Sequence, residues 1–210
     1  MNQKLTWIFL FLFMFQFSVL TAKSNDSCVI LTTKVRELMR NDDYKTAIIL
    51  LDGCLKRDQT NAVALNLRGC ATIFQSYIND EKNNKNAIVF FNKALQYDST
   101  NYFYLNNRGW AYQNLNEYIK SWSDFGKAVQ LDSNNVELQG NVLRNLWIRK
   151  KNKEALSYCD KLINKFPNDG YAWYVRGQLK RDYLHKYPEG NQDIKKGEQL
   201  GWKQGFSLMY

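Results

Sequence analysis

Arg68-Gly69-Cys70-Ala71, followed by Ala87, Phe91 and Ala94, returns as Arg108-Gly109-Trp110-Ala111, followed by Ser121, Phe125 and Ala128. The two blocks share one grammar of small and bulky positions, and self-similarity at a fixed period is the mark of a stacked repeat architecture. Ala47, Ala87, Ser121 and Ala155 extend the series at spacings of 40, 34 and 34 residues. The six extra residues fall in the polar stretch Asn79-Asp80-Glu81-Lys82-Asn83-Asn84-Lys85-Asn86, which reads as an inserted turn. A looser copy opens with Trp173, Arg176 and Gly177 and closes with Ile194, Gly197 and Leu200, with one additional residue between its halves.

Apolar spacing gives the element type. Ala87, Val89, Phe90, Phe91, Ala94 and Leu95 form a wide stripe at helical period, as do Tyr118, Trp122, Phe125, Ala128 and Val129. No alternation of period two suggests strands. Asp58-Gln59-Thr60-Asn61, Asp98-Ser99-Thr100-Asn101, Asp132-Ser133-Asn134-Asn135 and Pro167-Asn168-Asp169-Gly170 are turn-forming clusters whose side-chain oxygens can cap the helix that follows.

The pattern resembles the tetratricopeptide repeat family, a helix-turn-helix unit of 34 residues with small eighth, twentieth and twenty-seventh positions. On that register, repeats fall near 28–61, 62–101, 102–135, 136–169 and 170–203, with 204–210 a tail or short cap. The eighth positions are Val35, Gly69, Gly109, Leu143 and Gly177; the first and fourth depart from the pattern. The twentieth are Ala47, Ala87, Ser121, Ala155 and Gly190, and the twenty-seventh Cys54, Ala94, Ala128, Leu162 and Gly197. Small residues let two antiparallel helices approach, and Leu51, Phe91, Phe125 and Ile194 supply bulk between those sites. The resemblance implies an all-α, right-handed superhelical solenoid of about five repeats, each burying its apolar face only against its neighbours.

The chain starts differently. Lys4 precedes an almost unbroken apolar run from Leu5 to Leu20, and Ala22 and Ser24 fit a small-x-small cleavage site, the pattern of a secretory signal over residues 1–24 cut after Ala22 or Ser24. Roughly 16 apolar residues fall short of the roughly 20 that span a bilayer, which disfavours a retained anchor and stable membrane insertion. The 210 residues carry net charge +9, and a cut after Ala22 leaves 28 Lys and Arg against 20 Asp and Glu. The expected protein is exported, periplasmic or secreted, from a bacterial host.

Little in the chain points to catalysis. It holds no Gly-rich phosphate loop, His-Glu-x-x-His pair or nucleophile elbow. His185 is the single histidine and is read as a surface residue in a turn; Asp42-Asp43 and Asp80-Glu81 are read as turn and capping residues. The expectation is a non-enzyme with no cofactor and no metal. Cys28, Cys54, Cys70 and Cys159 contain no Cys-x-x-Cys. Export permits disulfides. Cys54 and Cys70, on helices expected to pack together, are the candidate pair, with simple packing of buried cysteines the alternative.

The remaining candidate is the concave groove. The family resemblance places Arg36 and Arg40 there from repeat one, Asn66 and Phe74 from repeat two, and Phe103, Asn106, Trp110 and Gln113 from repeat three. Repeat four adds Arg144 and Trp147, and repeat five Tyr171, Tyr174 and Arg181. Aromatics bring contact area at low entropy cost, amides can hold an extended backbone, and arginine grips carboxylates. The expected partner is a protein or peptide of acidic character. The alternative is a basic module for anionic or sugar-containing surface polymers, with Trp110, Trp147 and Tyr174 stacking on sugars. Dispersed lysines and export argue against nucleic acid.

Overall fold

A computed structural model describes residues 28, 31–76 and 80–202; the signal-like stretch 1–24 and the tail 204–210 lie outside the described residues. Every described element is a helix: α1 (31–40), α2 (Tyr44–Arg57), α3 (Ala62–Phe74), α4 (Glu81–Tyr97), α5 (Tyr102–Asn114), α6 (Tyr118–Leu131), α7 (Val136–Ile148), α8 (Asn152–Lys165), α9 (Gly170–Asp182) and α10 (Tyr187–Gln199). They form an all-α helical repeat solenoid. Two compact units divide it, α1–α4 ending at Ser99 and α5–α10 beginning at Thr100.

The turn clusters act as caps. Asn61, Asn101, Asn135 and Asp169 each accept a hydrogen bond from a backbone N–H in the first turn of the helix they precede. Asp58 folds each approach in miniature, accepting from the Thr60 N–H at 3.0 Å, and Asp132 does the same for Asn134. The turns within repeats use a different device. Asp42, Asn116, Lys150 and His185, each just before the N-cap residue of the repeat's second helix, hold φ between 55° and 60°. Asn and Asp tolerate that left-handed conformation better than other L-residues. His185 therefore has a backbone role, in the turn where the sequence placed it.

The polar stretch at 79–86 is not wholly a turn. α4 has 17 residues where α2, α6 and α8 have 14, and it begins at Glu81 inside this stretch, so part of the insertion is helix. Asp80 caps α4 through the Asn83 N–H, Glu81 pairs with Lys85 one turn on, and Asn84 is buried. Polar composition there concealed a helix start.

Within each repeat the two helices are fitted by volume. An ideal Cβ on Gly69 would lie 2.5 Å from the Phe91 ring, and one on Gly109 2.7 Å from Phe125. Repeats one and four, which depart from a small eighth position, adjust the partner instead. Val35 meets Leu51 and Leu143 meets Cys159, all fully buried in shared clusters. In repeat five the helices touch backbone to backbone: a Cβ on Gly177 would lie 2.6 Å from the Gly190 carbonyl, and one on Gly170 2.7 Å from that of Gly197.

Arginine at the seventh position ties the layers. Arg68 Nε donates to Asp52 at 2.7 Å and its guanidinium lies 4.9 Å from the Phe90 ring centroid. Arg108 makes two 2.7 Å bonds to Asp124. Arg176 grips Asp193 of α10 at 2.8 and 2.9 Å and Asp160 of α8 at 2.8 Å, bridging consecutive repeats. The Arg108–Asp124 and Arg176–Asp193 pairs sit mostly out of water, so removing one member strands the other, whereas Asp52 and Asp160 stay open to solvent.

The disulfide joins Cys28 to Cys54, with Cα atoms 5.9 Å apart, and not Cys54 to Cys70. Positions one and 27 face each other across a repeat, as Gly170 and Gly197 do in repeat five. The pair is thus internal to repeat one, and Cys70 and Cys159 are thiols. Burial pushes both of these up to about 12, so neither is a ready nucleophile. α10 buries only Gly190, Asp193 and Gly197, with Ile194 partly covered, and turns its polar residues outward.

Two outcomes check this account by chemical denaturation. Gly109→Ala destabilises by about 1–3 kcal/mol through overpacking against Phe125. Gly126→Ala, with nothing within 4 Å of the added carbon, stabilises by about 0.5–1 kcal/mol. For Asp193, burial alone raises the carboxyl, but the Arg176 and Lys180 hydrogen bonds outweigh it and the net shift is downward. Its contribution is therefore complete above the ordinary carboxylate range and is lost as pH falls below it. Asp193→Asn should be about 1–3 kcal/mol less stable than wild type at pH 7, with the difference shrinking below about pH 4.

Candidate binding cleft

The second unit contains a cleft of about 390 Å³ lined by first helices of three successive repeats and by the residues that follow α10. α5 contributes Trp110, α7 contributes Glu137, Gly140, Asn141 and Arg144, the turn before α9 Asn168 and Asp169, and α9 Tyr171; Leu200, Gly201 and Trp202 close one side. Gly201 takes φ +90°, turning the chain so that Trp202 packs its ring 4.6 Å from Tyr171 and 6.0 Å from Tyr174. Tyr171 lies over Gly140, where an added Cβ would make an ordinary 3.6 Å contact with the ring.

The walls are held from behind. Asn141 donates to Asn106 at 2.8 Å in a buried amide pair joining α7 to α5. Asn145 donates to the Tyr118 carbonyl at 3.1 Å and the Ser121 hydroxyl at 3.2 Å. Trp110 stands edge-on to Phe125 at 6.1 Å, and the Arg144 guanidinium lies 5.1 Å from the Trp110 ring centroid. That arrangement orients a cation on an aromatic face at the cleft wall.

The electrostatics are two-signed. Arg144 stands at one part, while burial raises the carboxyls of Glu137 and Asp169 at another. Burial also raises the Tyr171 phenol to about 12 against the opposing pull of Arg144. Asp169 Oδ2, Tyr171 Oη and Trp202 Nε1 are buried without hydrogen-bond partners.

Of the residues proposed from sequence, only Trp110, Arg144 and Tyr171 line this cleft. Asn106 supports it from within, and Tyr174 is buried with its hydroxyl accepting from Gln178 at 2.9 Å. Trp147 packs against the buried cluster of repeats four and five, and Gln113 is buried. Phe103 is exposed and stacks on Tyr102 at 4.2 Å. Arg181 is held by Asp182 and Gln178 at 2.8 and 2.6 Å. In the first unit, Arg36 and Arg40 are exposed, Asn66 is buried and Phe74 packs 5.9 Å from Tyr44. Sequence reasoning missed Glu137, Asp169 and Trp202. Glu137 holds the same second position of the repeat as Phe103 and Tyr171 and could have been read from that register, Asp169 is the N-cap residue of α9, and Trp202 reaches the cleft only through the Gly201 turn.

Fold and cleft together define a helical-repeat protein with a lined face in its second unit. Residues 104–135 match the family model described as tetratricopeptide repeat. Among solved structures, the chain is similar to PilF of Pseudomonas aeruginosa, with TM-score 0.72 and 20% identity over 86% of this chain and 79% of that one. It is similar to MamA with TM-score 0.66 and 17% identity over 79% and 93%. Similarity to YrrB, described as a tetratricopeptide repeat protein with an unusual peptide-binding site, has TM-score 0.63 and 19% identity over 81% and 84%. No curated protein matches the chain. One tetratricopeptide repeat is thus matched directly at residues 104–135, and the solved structures show the same helical-repeat fold over most of the chain.

Proposed function

We propose that this protein is an exported, non-catalytic interaction module, periplasmic or secreted, that holds a segment of a protein partner in the cleft of its second unit. The observation that carries the reading is the Arg144–Trp110 pair set in one cleft with the aromatic rings of Tyr171 and Trp202. Rigid aromatics supply contact area, and an oriented guanidinium supplies a charged bond to a carboxylate. An acidic side chain of the partner meets Arg144, away from Glu137 and Asp169. The peptide-binding site named for YrrB supports the same use of the fold. Export draws support from the apolar run at Leu5 to Leu20 and from the Cys28–Cys54 disulfide, since disulfides persist in oxidising compartments.

Affinity capture from the host's exported fraction compares the wild type with Trp110→Ala/Arg144→Ala; Trp147 is left in place because it packs on the core. The expected result is a protein retained by the wild type and lost by the variant at equal helicity. Retention of nothing protein-like, or equal release of everything from both forms by modest salt, sinks the cleft reading and returns the anionic-polymer alternative. Export is read separately on the chain purified from its host. Mass analysis should find an N-terminus at Lys23 or Asn25, Cys28 linked to Cys54, and Cys70 and Cys159 as thiols. An intact leader or four thiols argues against export.

A further inference from the structure

The antiparallel helix pairs of the second unit place all turns within repeats along one edge and all turns between repeats along the other. The edges differ in chemistry. Between repeats run Asp132-Ser133-Asn134-Asn135 and Pro167-Asn168-Asp169, amide and acidic. Within repeats run Leu115-Asn116-Glu117, where Glu117 is paired with Lys120, and then Arg149-Lys150-Lys151 and Tyr183-Leu184-His185-Lys186, basic and apolar. Lys150 and Lys153 are exposed. Lys151 is 3.6 Å from Glu154, and among the described residues no carboxylate forms an ion pair with Arg149, Lys150 or Lys153.

Apolar side chains stand beside these cations. Ile119 is 76% exposed, the most open of the large hydrophobic side chains described. Trp122, three residues on and so on the same face of α6, lies under the Arg149 guanidinium at 5.7 Å from its ring centroid. The turn of repeat five adds Leu184 at 41% and Tyr187 at 56% exposure. None of these residues lines the cleft. They also do no capping: α8 and α10 begin without a side-chain cap, so the lysines before them are not held there by helix chemistry.

We propose that this edge is a docking face for an anionic lipid bilayer, bound peripherally, with the cations on the headgroups and Ile119, Trp122, Leu184 and Tyr187 at the interface. Several lysines and an arginine on one edge are complementary to an anionic leaflet, each adding to the attraction within a Debye length. The aromatic and aliphatic members suit the boundary between headgroup and acyl chain, where Trp and Tyr are enriched. An acidic protein would satisfy the charges; the exposed aliphatic and aromatic side chains flanking them are what favour a bilayer interface. Here the apolar groups stand in repeats three and five, on either side of the basic turn of repeat four. A two-dimensional, deformable partner meets them all. The inference is independent of the cleft, which lies toward the opposite edge at Asn168 and Asp169.

The test is flotation of the chain as purified from its host with vesicles of phosphatidylcholine alone or with 30% phosphatidylglycerol. Two variants accompany it, Arg149→Gln/Lys150→Gln/Lys153→Gln and Ile119→Ser/Leu184→Ser, both at exposed or half-exposed positions and both checked for unchanged helicity. Any contribution of the N-terminal stretch is common to all forms and cancels in the comparison. The expected result is binding at least about tenfold stronger to the anionic vesicles, reduced about tenfold or more by either variant and unaffected by Arg144→Ala. Equal flotation with both vesicle types overturns the proposal, as does wild-type binding by both variants. Binding that follows charge alone, matched by a soluble polyanion and indifferent to Ile119 and Leu184, overturns it as well. Loss of a captured acidic protein by the basic variant without any vesicle binding assigns the edge to that protein instead.

Discussion

Two helices of one repeat can close to contact only if the volumes at the eighth and twenty-fourth positions sum to what the gap allows, and the rest of the chain is arranged around that condition. Phe91 and Phe125 fill it from the second helix against a glycine on the first. Leu143 fills it from the first helix against Cys159, and Val35 and Leu51 share it. The interior is packed to crystal-like density, so a methyl group in excess on one side must be missing from the other. Solved structures at 17–20% identity share the fold.

Around that contact lie interactions that set direction more than they add burial. The seventh-position arginines join the two helices of a repeat or reach back to the preceding one, and Arg176 does both. The backbone turns at Asn116, Lys150 and His185 bring each second helix back antiparallel. Caps on the following first helices then set where the next layer begins. Because each device recurs at a fixed place in the repeat, the first helices of the second unit present their side chains side by side. The cleft of Trp110, Arg144 and Tyr171 is the product of that recurrence, at successive positions along α5, α7 and α9.

Function then separates by surface. The cleft combines an oriented cation, aromatic rings and partly desolvated carboxyls, chemistry that selects a shaped partner. The edge of turns within repeats combines exposed lysines and arginine with Ile119 and Leu184, chemistry that suits an extended surface. Neither surface uses the eighth- and twenty-fourth-position packing residues or the arginine ties, although Lys150 and Asp169 also serve the turns of the repeat.

The period of the repeats, their helical type and the turn chemistry were legible along the chain, because side-chain volume, apolar spacing and capping are local properties. Gly109 with Phe125 and Asn135 before Val136 announce themselves in order. That part of the 79–86 insertion is helix was not legible, since asparagine and lysine serve both states until Asp80 is seen to cap α4. Nor was the cysteine partner: Cys54 lies on a helix flanked on two sides, and only the packed repeat shows that position one, Cys28, and not Cys70, faces it at bonding distance. The cleft follows the same rule. Trp147 and Tyr174 read as groove residues by position but are drawn into the core, while Trp202 enters through a single left-handed glycine. Which face a side chain presents depends on where neighbouring helices come to rest, and that is settled by contacts distant in sequence.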